Sequence, residues 1–305
     1  MMKLFDSHIL PILDYGSEIW FTNKKIHNIE FVQLWFIKTT LGIKTQSSNL
    51  VSLGETGRFP LILRQQDFAL KYFDRLIHFD KSRPLYKVYL EVREMHHKGY
   101  RNWYSKIDTI LHDNDITSYS DKMLSKETEV ESSYLHTKDK RYQNYLIDYF
   151  KQINDSVNKP LLRTHKKFKL ESRCEPYLLI SLQYKYRQAI ARIRASSHHL
   201  GIETGRHKRP KPTPLAERNC VYCLADVLDD EFHFLLYCEK NSDERSKLYS
   251  KLPPHILDLD PEDLFIYLLN SNDDSHIRLF GKFVFDSFKA RLPPENGLLR
   301  AGHNR

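Results

Sequence analysis

The sequence predicts a mainly α-helical protein, and three features of its 305 residues point that way. Aromatic residues make up 12%, with 18 Tyr and 17 Phe against only 10 Gly, a balance that suits packed helices better than turn-dense β structure. Apolar side chains recur at helical spacing in several stretches. Proline and glycine stand between those stretches, where helices are expected to start and stop.

Taken in order, residues 29 to 41 set Phe31, Leu34, Trp35, Ile37 and Leu41 at near-helical spacing, and Gly42 fits a helix stop. Residues 50 to 60 hold two glycines and end Arg58-Phe59-Pro60, so they read as a connector to a second helix over residues 61 to 79. Residues 1 to 107 thus form a helical region. Residues 108 to 158 read as a polar linker: positions 108 to 133 are rich in Ser, Thr, Asp, Asn and Glu, with a short helix after them over residues 142 to 153. Pro176 suits the first position of a helix over residues 177 to 195. There Leu179, Leu182, Tyr186, Ile190 and Ile193 share one face while Lys185, Gln188 and Arg192 lie on another. Residues 198 to 214 read as an extended basic loop, which completes a basic helix and loop region over residues 159 to 218. In the last region, residues 219 to 305, helices are expected over residues 242 to 250, 261 to 269 and 276 to 291, with a frayed tail from 297 to 305.

The net charge of +8 is unevenly placed. Residues 1 to 158 carry 22 basic and 20 acidic side chains, residues 159 to 218 carry 15 and 4, and residues 219 to 305 carry 10 and 15. One 60-residue stretch therefore holds more than the whole surplus, and a concentrated basic patch is the electrostatic footprint of a polyanion partner. The start lacks the basic and apolar regions of a signal peptide, and no window offers 18 uninterrupted apolar residues. A soluble intracellular protein, nuclear or cytoplasmic, is the expectation, with no membrane partner. Four cysteines are too few for a disulfide scaffold in a chain this long.

Three of those cysteines crowd together. Cys220 and Cys223 are separated by two residues, nine more lead to His233, and four more to Cys238. A pair spaced so can turn a tight knuckle with both sulfurs toward one ion, and the remaining His and Cys close a tetrahedron. Phe232, Phe234, Leu235 and Leu236 supply the small apolar cluster that such a module needs. A filled tetrahedron leaves no open position for an activated water, so one structural zinc ion is expected, contributing about 10 to 16 kcal/mol to folding. The bland alternative takes the cysteines as buried small hydrophobes. Cys174 stands apart and reads as a packed thiol. The pairs His96-His97 and His198-His199 are discounted as ligands, because neighbours on a helix point about 100° apart.

Taken together, these stretches resemble the C-terminal portion of a non-LTR (LINE-type) retrotransposon reverse transcriptase. The resemblance rests on residues 4 to 20, which include Leu10-Pro11-Ile12-Leu13-Asp14-Tyr15-Gly16 and Trp20. It continues through the Trp35 helix, Leu41-Gly42 and Gly54-Glu55-Thr56-Gly57-Arg58-Phe59-Pro60-Leu61. It ends with Ile202-Glu203-Thr204-Gly205-Arg206, Arg218 and the run from Cys220 through Asp230-Glu231-Phe232-His233-Phe234-Leu235-Leu236 to Cys238, similar to that family's CCHC motif. The resemblance implies a thumb-like segment and a zinc region that grip template RNA and target DNA, with a reverse transcriptase core as a further partner. The family's paired palm carboxylates, which hold two magnesium ions, have no counterpart here. Asp229-Asp230 and Asp273-Asp274 read as solvated charge. The chain is therefore expected to be a transposable-element fragment without a catalytic centre, its palm lying upstream of Met1.

For phosphate contacts the candidates are Arg163, Lys166, Lys167, Lys169, Lys185, Arg187, Arg192, Arg194, Arg206, Lys208, Arg209 and Lys211, with Tyr184, Tyr186 and His207 available to stack on unpaired bases. Packing is the competing role for the tyrosines, and a solvated linker for the loop. A different class of function is a protein-interaction scaffold that docks a partner through apolar helices, including Phe280, Phe283, Phe285 and Phe288.

Overall fold

A computed structural model describes residues 2–21, 26–114, 130–155, 160–223 and 226–291. The protein is mainly helical, and among the described residues the one extended pairing is an antiparallel bridge between Asn219 and Leu228. The principal helices are α1 (Ile26–Leu41), α2 (Asn49–Thr56), α3 (Leu61–Ile77), α4 (Pro84–His97), α5 (Trp103–Asp113), α6 (Val130–Asn154), α7 (Tyr184–Arg194), α8 (Glu231–Leu236), α9 (Ser242–Tyr249), α10 (Pro261–Asn270) and α11 (Asp274–Ala290). None is long and apolar enough to cross a membrane. Most of the polar stretch from 108 to 133 and the tail from 297 to 305 lie outside the described residues.

The chain divides into two compact units, Met1–Ile37 with Phe59–Gln152, and Lys38–Arg58 with Ile153–Arg305. In the first unit α3 turns Leu61, Ala69, Leu70, Phe73 and Leu76 inward. Phe73 meets Tyr89 of α4 and Tyr104 of α5 edge-on, at ring distances of 6.1 and 5.9 Å. Asn102 and Ser105 form a reciprocal capping box that starts α5. Trp103 then reaches back to donate from Nε1 to the Glu18 carbonyl at 2.7 Å. Helix α6 docks on α3 through a buried guanidinium: Arg141 donates to Asp67 at 2.6 Å and to the Leu63 carbonyl and Gln66 at 2.8 Å each.

The second unit is built on α7 and α11, where Tyr186 packs edge-on against Phe285 at 5.7 Å. Two sequence expectations fail in this unit. The expected connector over residues 50 to 60 is helical as far as Thr56, and Gly57 then ends the helix with φ of 63°. The reason is tertiary: Glu55 is buried here and meets Arg194 of α7 at 2.8 Å and Tyr177 at 2.7 Å. The single helix expected over residues 177 to 195 is broken, with one turn at Pro176–Leu179, an extended backbone at Ile180, and α7 beginning at Tyr184. Arg278 of α11 donates to the Ser181 carbonyl in the gap. Leu179, expected on the shared apolar face, is 72% exposed. Gly42 ends α1 as expected, with φ of 66°, and its carbonyl accepts from Arg192 Nε at 2.9 Å.

Candidate metal centre and the basic surface

The knuckle is held by backbone bonds before any metal is considered. The Cys220 amide donates to the Val227 carbonyl at 2.8 Å and the Asp229 amide to the Arg218 carbonyl at 2.9 Å, so the chain folds back on itself across the Cys220 to Cys223 turn. Asp230 caps α8 by accepting from the His233 amide at 2.8 Å, which sets the imidazole in the first turn. Helix α8 stops at Leu236, and the Cys238 amide donates back to the His233 carbonyl at 2.8 Å. Phe234 stacks on Phe288 of α11 at 4.6 Å and fixes the helix to the unit's core.

These bonds bring one donor atom from each of Cys220, Cys223, His233 and Cys238 within 4.8 Å of one another. Cys220 Sγ lies 3.9 Å from Cys238 Sγ, and Cys223 Sγ lies 3.4 Å from His233 Nε2. Metal–sulfur bonds of about 2.3 Å arranged tetrahedrally would separate two sulfurs by about 3.8 Å, whereas a disulfide needs about 2.05 Å. The cluster can hold a metal ion, and its four cysteine-and-histidine donors match the set expected from the spacing. Burial pushes the Cys220 thiol up to about 12, which a bound cation would reverse. Burial also holds the His233 imidazole below its usual value, favouring the neutral form that a ligand requires.

Sequence reasoning missed Arg291. Its guanidinium donates to Cys238 Sγ at 2.9 Å, approaches Cys220 Sγ at 3.7 Å, and meets the Asp229 carboxylate at 2.8 Å. Asp229, expected to be solvated, is only 3% exposed and also accepts from the Gly201 amide at 2.7 Å. Its neighbour Asp230 is the α8 cap, and Asp273 caps α11. No local pattern marks Arg291, because its partners lie 53 to 71 residues away.

The basic candidates separate by environment. Arg194 is 1% exposed, ion-paired with Glu55 and Glu175 at 2.8 and 2.5 Å and lying over the Phe168 ring. Lys169 is 2% exposed and pairs with Glu175 at 2.5 Å. Arg163 binds Glu203, and Glu231 at 2.5 Å. Burial thus removes Arg194 and Lys169 from the candidate phosphate contacts, and Arg163 is largely engaged within the unit. Lys167 is exposed but shared with Glu262 at 3.1 Å, and Arg206 meets Glu203 at 3.3 Å. Lys166, Arg187 and Arg192 are half-buried, while Lys185, His207, Lys208, Arg209 and Lys211 are exposed. Tyr184 is exposed, whereas Tyr186 packs on Phe285. Phe280 and Phe283, expected to dock a partner, are buried in the unit's own core. Cys174 is a free, partly buried thiol, and His198 is a buried partner of Glu231 at 2.8 Å.

No family model, curated protein or solved structure matches this chain.

Proposed function

We propose that the chain is a zinc-ordered nucleic-acid-binding module, derived from the C-terminal portion of a LINE-type reverse transcriptase and acting by grip, not catalysis. The reading rests chiefly on one arrangement: a donor set of three thiols and one imidazole, which suits zinc, preceded directly by the exposed cations Lys208, Arg209 and Lys211. Zinc would hold Cys220 and Cys223 against α8, and so fix where the basic loop leaves the unit. Phosphates of RNA or DNA would then meet the exposed cations with little regard for sequence.

The test is binding of single-stranded RNA and DNA across a salt series, with and without a zinc chelator. Engaging about four phosphates of a single strand gives a slope near −2.8 in log affinity against log salt, or about a 50-fold weakening from 50 to 200 mM. Steep salt dependence together with chelator sensitivity supports the module. Binding that ignores both salt and chelator would overturn it in favour of an interaction scaffold. For that second reading the relevant surface is in the first unit, where Phe31 and Trp35 are exposed four residues apart on α1.

A further inference from the structure

Within the second unit, beside the cysteine and histidine cluster, lies a cleft open to solvent with a cavity volume of about 90 Å³. Its apolar wall carries three rings, Phe285 and Phe288 from α11 and Tyr222 from the knuckle between two of the metal ligands. Its rim carries Lys185, Arg192 and Lys289, and among the described residues no aspartate or glutamate lines it. Rings beside cations, with no anion to neutralise them, match a group that is flat and apolar at one end and negatively charged at the other.

Local contacts show how the pieces are held. Arg192 spends its Nε on the Gly42 carbonyl at 2.9 Å, one of five donors, so the guanidinium is fixed at the rim with most of its hydrogen-bonding capacity in reserve. Lys185 lies 5.2 Å from the Phe285 ring centre, which joins rim and wall. Tyr222 is 42% exposed, with the Arg291 guanidinium 4.8 Å from its ring centre on one side. Burial, then Lys44 and Arg192, hold the His199 imidazole at the rim below its usual value, consistent with a positive local potential.

We infer that this pocket receives one unpaired nucleotide of a nucleic-acid strand, its base against Tyr222, Phe285 and Phe288 and its phosphate on Lys185, Arg192 and Lys289. The inference rests on the nucleic-acid reading above and names where a strand would be gripped by its bases. A base inside a duplex has both faces stacked, so only single-stranded or extruded nucleotides qualify. The metal and the pocket share Arg291, which donates to Cys238 Sγ while lying over Tyr222. Losing the ion would release both the thiolate partners of that guanidinium and the turn that carries the tyrosine.

The experiment compares the zinc-loaded full chain binding an oligo(dT) of about 12 nucleotides with an all-abasic strand of equal length and charge. One stacked base makes the oligo(dT) tighter by about 5- to 150-fold. Tyr222→Ala lowers that ratio toward one, and Lys289→Gln weakens both strands alike. Equal wild-type affinity for the two strands overturns the pocket but leaves nucleic-acid binding standing, whereas no binding of either overturns both. Photo-crosslinking of an oligonucleotide carrying 5-iodouracil reads the site without any substitution. Adducts on peptides holding Tyr222, Phe285 or Phe288 are expected, and adducts confined elsewhere overturn the assignment. Thymidine monophosphate that displaces the strand from wild type, but not from Tyr222→Ala, supports the same pocket with a free nucleotide as occupant. Failure of the monophosphate to displace, with the base-dependent ratio intact, identifies the strand as the occupant.

Discussion

Replacing Arg291 with methionine separates the candidate metal ligands from the charge that surrounds them. Zinc held by three thiolates and a neutral imidazole would keep one net negative charge in a buried site, and Arg291, which donates to Cys238 Sγ at 2.9 Å, is placed to meet it. Methionine keeps much of the side-chain volume beneath Tyr222 and over Phe234 but cannot donate to sulfur. Loss of an outer partner of this kind lowers metal affinity by about 10- to 100-fold. The same change takes the guanidinium away from the buried Asp229 carboxylate, which keeps its bond from the Gly201 amide, and breaking a buried pair costs about 3–5 kcal/mol. Arg291→Lys restores a charge without the forked geometry and should recover part of the affinity. Competition against a chromogenic chelator measures the effect on the metal, and urea unfolding of the zinc-loaded protein measures the effect on stability. An Arg291→Met protein that holds zinc as tightly as wild type would refute the claim that the guanidinium acts on the thiolates.

The remaining predictions concern the loop and the buried carboxylates. Replacing Lys208, Arg209 and Lys211 together with alanine should reduce the single-strand salt slope by about 0.7 for each phosphate no longer neutralised, measured by the same salt titration, with the zinc content unchanged. An acid limb of stability is expected from Glu55 and His165. Burial alone would raise Glu55, but Arg194 and His165 hold it down to about 2 from 4.5, so its contribution is present above the unfolded value and is lost as pH falls from about 4.5 toward about 2. Burial holds His165 below 6.5, so protonation favours the unfolded chain and stability declines as pH falls through that value. Urea midpoints should therefore drop below about pH 6.5 and again below about pH 4.5. Glu55→Gln should be less stable at neutral pH and should flatten the lower step.

Much of the local order was legible because local chemistry determines it. Gly42 stops α1, Pro176 opens a helical turn, and the spacing from Cys220 to Cys238 presents the donor set the structure assembles. What escaped the sequence depends on partners far along the chain. The run Leu53-Gly54-Glu55 contains a helix-weakening glycine, yet Glu55 bonds Arg194, 139 residues away, and the segment is helical. Leu179 and Leu182 read as the start of one amphipathic face, but Arg278 holds the Ser181 carbonyl and the helix breaks between Leu179 and Tyr184. Arg291 sits at the end of a helix whose apolar pattern was readable, while its bonds to the cysteines were not.

The same distinction revises the meaning of the basic stretch. Counting 15 cations over residues 159 to 218 treats each as available to a phosphate, but a cation contributes to the counterion-release slope only if a phosphate can replace its counterion. Arg194 and Lys169 already face Glu55 and Glu175 in the interior, and Arg163 faces Glu203 and Glu231. Withdrawing such a cation would leave buried carboxylates uncompensated, at a cost of about 3–5 kcal/mol, more than a surface phosphate contact returns. Engagement of all 15 cations would require a slope of about −10, whereas a footprint limited to a few exposed cations gives about −3. The measured slope thus counts which positive charges remain for a ligand after folding has used the others, and a value near −10 would mean that the buried network opens on binding.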